Sequence, residues 1–75
     1  MKALVEFIVT RLANHPDKVA VTESEEDQTV QLKLVVCEED KGKIIGKQGR
    51  VIKAVRALVS AAAAKQGKRA FLEVE

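Results

Sequence analysis

The stretch Gly42-Lys43-Ile44-Ile45-Gly46-Lys47-Gln48-Gly49-Arg50-Val51-Ile52 restricts the fold of this chain more than any other. Two glycines, Gly46 and Gly49, bracket Lys47 and Gln48, and aliphatic pairs run in and out on either side. The pattern predicts a tight turn between two amphipathic helices, with a cation at its tip. Glycine lacks Cβ, so it takes positive φ and lets another backbone approach closely. Such a turn presents N–H groups at the start of the next helix, where the macrodipole adds roughly half a positive charge. Those donors and that dipole make an anion site. Lys47 supplies an ammonium and Gln48 an amide. On the glycines alone, an ordinary helix-turn-helix corner with incidental lysines explains the spacing equally well.

Charge segregation favours the anion site. Residues 41–56 hold Lys41, Lys43, Lys47, Arg50, Lys53 and Arg56, and no acid. Residues 17–40 hold Asp17, Glu23, Glu25, Glu26, Asp27, Glu38, Glu39 and Asp40 against Lys18 and Lys33. A formal net charge of only +2 therefore hides a cationic patch centred on the glycine turn. That is the footprint expected for contact with a polyanion.

The remaining elements follow from periodicity. Leu4, Val5, Ile8, Val9 and Leu12 fit one face of a helix over 2–13, which Asn14 and Pro16 stop. Residues 18–22 read as a short strand, and Glu23 to Gln28 as an acidic loop. Val30, Leu32, Leu34 and Val36 alternate with Gln31 and Lys33, predicting a strand over 29–37. Glu38, Glu39 and Asp40 suit a helix's first turn, and this short helix ends at Gly46. A second helix runs from near Gly49 to about Gln66, with Val51, Ile52, Val55, Leu58, Val59 and Ala62 as its apolar positions. Ala61 to Ala64 favour helix and close packing, and Gly67 fits a C-terminal cap. Ala70, Leu72 and Val74 alternate in a last strand over 69–74. The order α-β-β-α-α-β, without repeat or linker, predicts a single α+β domain over 1–75, with the helices on one face of a three-stranded sheet.

Composition narrows the functional classes. The single Cys37 forms no internal disulfide and is expected to be a small, partly buried apolar residue. His15 lies in a turn-like Asn-His-Pro sequence with no second histidine, so no metal site is expected. Glu6 and Arg11 break the apolar amino-terminal run, which therefore reads as neither an export signal nor a membrane span. The cytoplasm is the expected compartment. Phe7 and Phe71 are the only aromatics and are expected in the core, which disfavours modules that stack bases on surface rings.

At this point the chain resembles a type II KH domain, whose central helices flank an IGxxG loop; here Ile45-Gly46-Lys47-Gln48-Gly49 takes that place. More closely, the loop, Ala61-Ala62-Ala63-Ala64-Lys65-Gln66-Gly67-Lys68-Arg69 and Leu72-Glu73-Val74 are similar to the small bacterial single-KH proteins of the KhpA (YlqC) type. The KH module clamps about four nucleotides of single-stranded nucleic acid with its GxxG loop. The resemblance implies a non-enzymatic, cofactor-free RNA-binding protein acting as an RNA chaperone or post-transcriptional regulator. It implies a homodimer, or a heterodimer with a KH protein of the Jag/EloR (KhpB) type, tied to cell elongation and division control. Carried over, Gly46, Lys47, Gln48 and Gly49 hold the phosphates. Lys43 and Ile45 flank the groove on one side, and Arg50 and Lys53 on the other. Strand residues near Leu34 and Val35 form its apolar far wall, and the acidic loop from Glu23 to Asp27 corresponds to the variable loop and adds no grip.

Three other readings compete. A Walker-type phosphate loop needs four residues between its glycines and a Ser or Thr after the lysine, and this chain has three and Gln48. Ser24, Ser60 and a remote His15 form no catalytic set. A protein-interaction module on the same scaffold would use the alanine-rich helix to dimerise. Single-stranded DNA fits the same groove, and only the resemblance prefers RNA. Substituting Asp at Lys47 and Gln48 separates binding from assembly, and Gly46→Asp is expected to cost most binding in a chain that stays folded.

Overall fold

The computed structural model describes residues 1–75. Its elements are helix α1 (Lys2–Leu12), strands β1 (Ala20–Glu26) and β2 (Thr29–Val35), helices α2 (Glu38–Ile45) and α3 (Arg50–Lys65), and strand β3 (Arg69–Val74). Single 3₁₀ turns span Pro16–Lys18 and Lys47–Gly49. The sheet order is β1-β2-β3. β1 and β2 pair antiparallel from Ala20↔Val35 to Glu26↔Thr29, and β2 and β3 pair parallel from Thr29↔Arg69 to Leu34↔Val74. Parallel neighbours need a crossover, and α2 and α3 supply it. The α+β architecture is the one expected.

Strand alternation sorts the sheet into two faces. In β2, Val30, Leu32 and Leu34 are buried, while Gln31, Lys33 and Val35 are exposed. The buried set packs with Val5 and Val9 of α1, Ile44 of α2, Ile52, Val55 and Val59 of α3, and Leu72 of β3. The core is therefore wholly aliphatic. Each such side chain contributes about 1.5–3 kcal/mol by leaving water, so a few well-placed residues carry a domain of this size.

Three expectations fail here. β1 runs on to Glu26, and the connection to β2 is a two-residue turn with Asp27 at φ 50° and Gln28 at φ 64°. Positive φ at both positions is the type I′ hairpin geometry, so the acidic loop does not exist as a loop. Glu23, Glu25 and Glu26 are strand residues, Asp27 is in the turn, and two of these acids have distant partners. Glu23 accepts a hydrogen bond from the Lys2 N–H at 2.9 Å, capping α1, and Glu25 pairs with Lys68 at 2.9 Å.

Phe7 and Phe71 are surface residues, 56% and 58% exposed. Phe71 has the opposite parity to Ala70 and Leu72, so the pleat turns it to the open face. Phe7 lies two residues from both Val5 and Val9, on the far side of α1, where the Arg11 guanidinium sits 4.2 Å from its ring centroid. Leu58 is likewise exposed, because the buried stripe of α3 runs Ile52, Val55, Val59 and Ala63.

Candidate nucleic-acid interface

The α2–α3 corner is built on three residues with positive φ. Gly46 stands at φ 79°, ψ 172°, Gln48 at φ 57°, ψ 25°, and Gly49 at φ 73°, ψ 15°. The Gly46 N–H closes α2 on the Gly42 carbonyl at 2.8 Å, and the Gly49 N–H returns to the Gly46 carbonyl at 3.1 Å. The two glycines act differently. A Cβ on Gly46 would fall 2.5 Å from Val51 Cγ2 and 2.9 Å from the Val51 nitrogen. A Cβ on Gly49 would meet only Lys53 Cε, at 4.0 Å. Gly46 is therefore needed for the corner to close, and Gly49 lets something approach from outside.

No side chain caps the Lys47–Gly49 turn or the start of α3. Within the turn the Gly49 N–H is bonded to the Gly46 carbonyl and the Arg50 N–H to the Lys47 carbonyl, and the positive end of the α3 dipole stands behind them. Lys47, Gln48, Arg50 and Lys53 are exposed around them, and Ile45 is half-buried at the corner's base. Lys47, Arg50 and Lys53 make no ion pair. Arg50 reaches only the Gln48 side-chain oxygen, at 3.5 Å. The structure thus gathers Ile45, Gly46, Lys47, Gln48, Gly49, Arg50 and Lys53 at one corner.

Lys43 is the exception. Its ammonium donates to Asn14 Oδ1 at 3.1 Å, turning toward the end of α1.

The expected far wall is also displaced. Leu34 is fully buried beneath the helices, and Val35 points to the opposite face of the sheet. β2 is the central strand, so neither residue reaches the groove beside α3. The strand that borders α3 is β3. Arg69 and Glu75 N–H groups bond to the Gln28 and Leu34 carbonyls, so alternation turns the backbone groups of Ala70, Leu72 and Val74 outward. Arg56 Nε donates to the outward Leu72 carbonyl at 3.1 Å, tying α3 to this edge. Farther along the same seam is a shallow cleft of about 330 Å³, lined by Ser60, Ala64, Lys68, Arg69, Ala70 and Phe71. The odd parity of Phe71 was the one sequence signal for this surface.

A three-stranded mixed sheet with helices on one face, and a GxxG corner joining the two crossover helices, defines a KH domain of type II topology. Comparison with known sequences places the chain more finely. The profile of the family described as "KhpA/KhpB, KH domain" matches residues 2–74, and the chain belongs to that family. Relatives named RNA-binding protein KhpA resemble it over nearly their whole length. That of Clostridium acetobutylicum is 47% identical, covering 99% of both chains. Those of Halalkalibacterium halodurans and Listeria monocytogenes are 47% and 45% identical, each over 99% of this chain and 97% of the relative.

Proposed function

We propose that this chain binds single-stranded RNA, with the Gly46-Lys47-Gln48-Gly49 turn gripping the sugar-phosphate backbone. The observation that carries this reading is the open surface over Gly49. A phosphate there meets the positive end of the α3 dipole, with the exposed Lys47, Arg50 and Lys53, none of them in an ion pair, around it. Backbone donors and cations read charge and not base identity, so one domain binds weakly and permissively. The names of the relatives favour RNA over DNA.

The partner fits the same reading. β3 offers outward backbone groups, and unpaired strand edges invite pairing. A second KH chain, identical or of the KhpB type, would supply a further grip on one RNA, and the family description spans both kinds of protein. A chaperone or post-transcriptional role in cell elongation and division is the setting that the family resemblance supports.

A nitrogen-15 amide titration with a single-stranded RNA tests the site. Shifts should appear first from Ile45 to Lys53. Shifts confined to the open sheet face around Phe71 would reject the turn as the site. Shifts confined to the β3 edge that track protein concentration would mark the domain as an assembly module.

A further inference from the structure

The fold brings together three side chains that the nucleic-acid reading does not use. His15 precedes the 3₁₀ turn after α1, Cys37 is the residue before α2, and Glu39 lies in the first turn of α2. One donor atom from each, an imidazole nitrogen, the thiol sulfur and a carboxylate oxygen, lies within 4.8 Å of the other two. His15 Nε2 and Glu39 Oε2 are 3.0 Å apart. We propose that His15, Cys37 and Glu39 form a binding site for a thiophilic divalent metal ion of the zinc type.

The geometry is close to what such an ion needs. Zinc takes nitrogen and oxygen at about 2.0–2.2 Å and sulfur at about 2.3 Å in a tetrahedron. Neighbouring donors then stand roughly 3.3–3.6 Å apart. The nitrogen–oxygen pair, at 3.0 Å, must open by about 0.3 Å, and the sulfur must close by at most roughly 1.2–1.5 Å, both within reach of side-chain rotation. A thiolate with an imidazole selects zinc or cobalt over magnesium or calcium. Thiolate and carboxylate together neutralise a dication, and the fourth position is left for water.

The site is held in place from behind. Asp40 is fully buried, and its two carboxylate oxygens accept the backbone N–H groups of Asn14, at 3.0 Å, and His15, at 2.9 Å. This clamp fixes the chain at His15 against the first turn of α2, where Cys37 and Glu39 are. The Asp40 charge also offsets the positive end of α2, which would otherwise repel a cation. A bound ion would staple the end of α1 to the start of the helix whose other end opens the glycine turn.

Cobalt(II) titration of the reduced protein, read by absorption, tests this. The expected result is a thiolate-to-cobalt charge-transfer band with intense tetrahedral d–d bands, saturating near about one equivalent and displaced by zinc. Cys37→Ser should abolish the charge-transfer band. His15→Gln and Glu39→Gln should each weaken binding by at least about tenfold, the scale seen when a metal's protein shell is altered. These exposed or half-exposed substitutions should leave the metal-free circular dichroism unchanged. Zinc should also slow modification of Cys37 by a thiol reagent in wild type but not in His15→Gln. Absence of a charge-transfer band in wild type overturns the proposal, as does a band that both His15→Gln and Glu39→Gln retain at wild-type affinity.

Discussion

Gly46 and Val51 are in such close apposition that a Cβ on the glycine would stand 2.5 Å from Val51 Cγ2. The same Cβ would also crowd the Val51 backbone nitrogen, which cannot rotate away. Gly46 further occupies φ 79°, ψ 172°, a region that is essentially reserved for glycine.

The two glycines of the turn should therefore respond differently to alanine. Gly46→Ala is expected to destabilise the fold by about 2–4 kcal/mol, combining backbone strain with overpacking. Gly49→Ala meets open space and should cost only about 1–2 kcal/mol, the strain of a left-handed alanine. Urea midpoints of both variants check this, and equal losses would contradict it. Gly46→Asp is thus a poor probe of RNA binding, because it disturbs the corner before it disturbs the ligand.

Burial separates the aromatic residues from the aliphatic ones. Phe7→Ala should change stability by no more than about 1 kcal/mol, the worth of its exposed contact with Arg11. Phe71→Ala, which removes an exposed ring from the open face, should stay within about 0.5 kcal/mol. Leu32→Ala, at the centre of the core, should cost about 2–5 kcal/mol. Chemical denaturation gives all three values, and a Phe71 loss as large as that of Leu32 would place the ring in a buried contact.

Asp40 makes stability fall in acid. Burial raises its pKa, but the backbone N–H groups of Asn14 and His15 and the charges of His15 and Lys43 outweigh that. Its carboxyl is held below its ordinary 3.8. A depressed folded-state pKa stabilises the native state at pH above the unfolded value, about 3.9, and the effect is lost as pH falls through the folded value. Asp40→Asn offers one acceptor oxygen where two N–H groups need one each, so it should melt lower at neutral pH. The melting gap between wild type and variant should narrow below about pH 4. A gap that stays constant into strong acid would contradict the clamp.

Much of this was legible in the sequence, because periodicity is local. The alternation of Val30, Leu32 and Leu34 gave β2 its face, and Gly46 and Gly49 marked the corner. The reading failed where a partner lies far along the chain. Glu23 and Glu25 look like loop acids until the Lys2 N–H and Lys68 meet them. Lys43 looks like a groove cation until Asn14 claims it. His15 looks isolated because Cys37 and Glu39, which stand beside it in the fold, lie more than twenty residues along the chain. Phe71 is a different case. The parity that placed Ala70 and Leu72 inside already placed it outside, and assigning aromatics to the core by residue type overrode that signal.

Fluorescence anisotropy of a labelled single-stranded RNA, with the Lys47→Asp/Gln48→Asp variant beside wild type at several salt concentrations, tests the central claim most directly. Gln48 already adopts a left-handed conformation that Asp tolerates, so the variant should fold. Wild type should bind with a logarithmic salt slope of roughly −1.5 to −3, the value for two to four neutralised phosphates on a single strand. The variant should lose at least about tenfold in affinity, the equivalent of about 1.4 kcal/mol. Undiminished binding by the variant would show that the glycine turn is not where RNA is held.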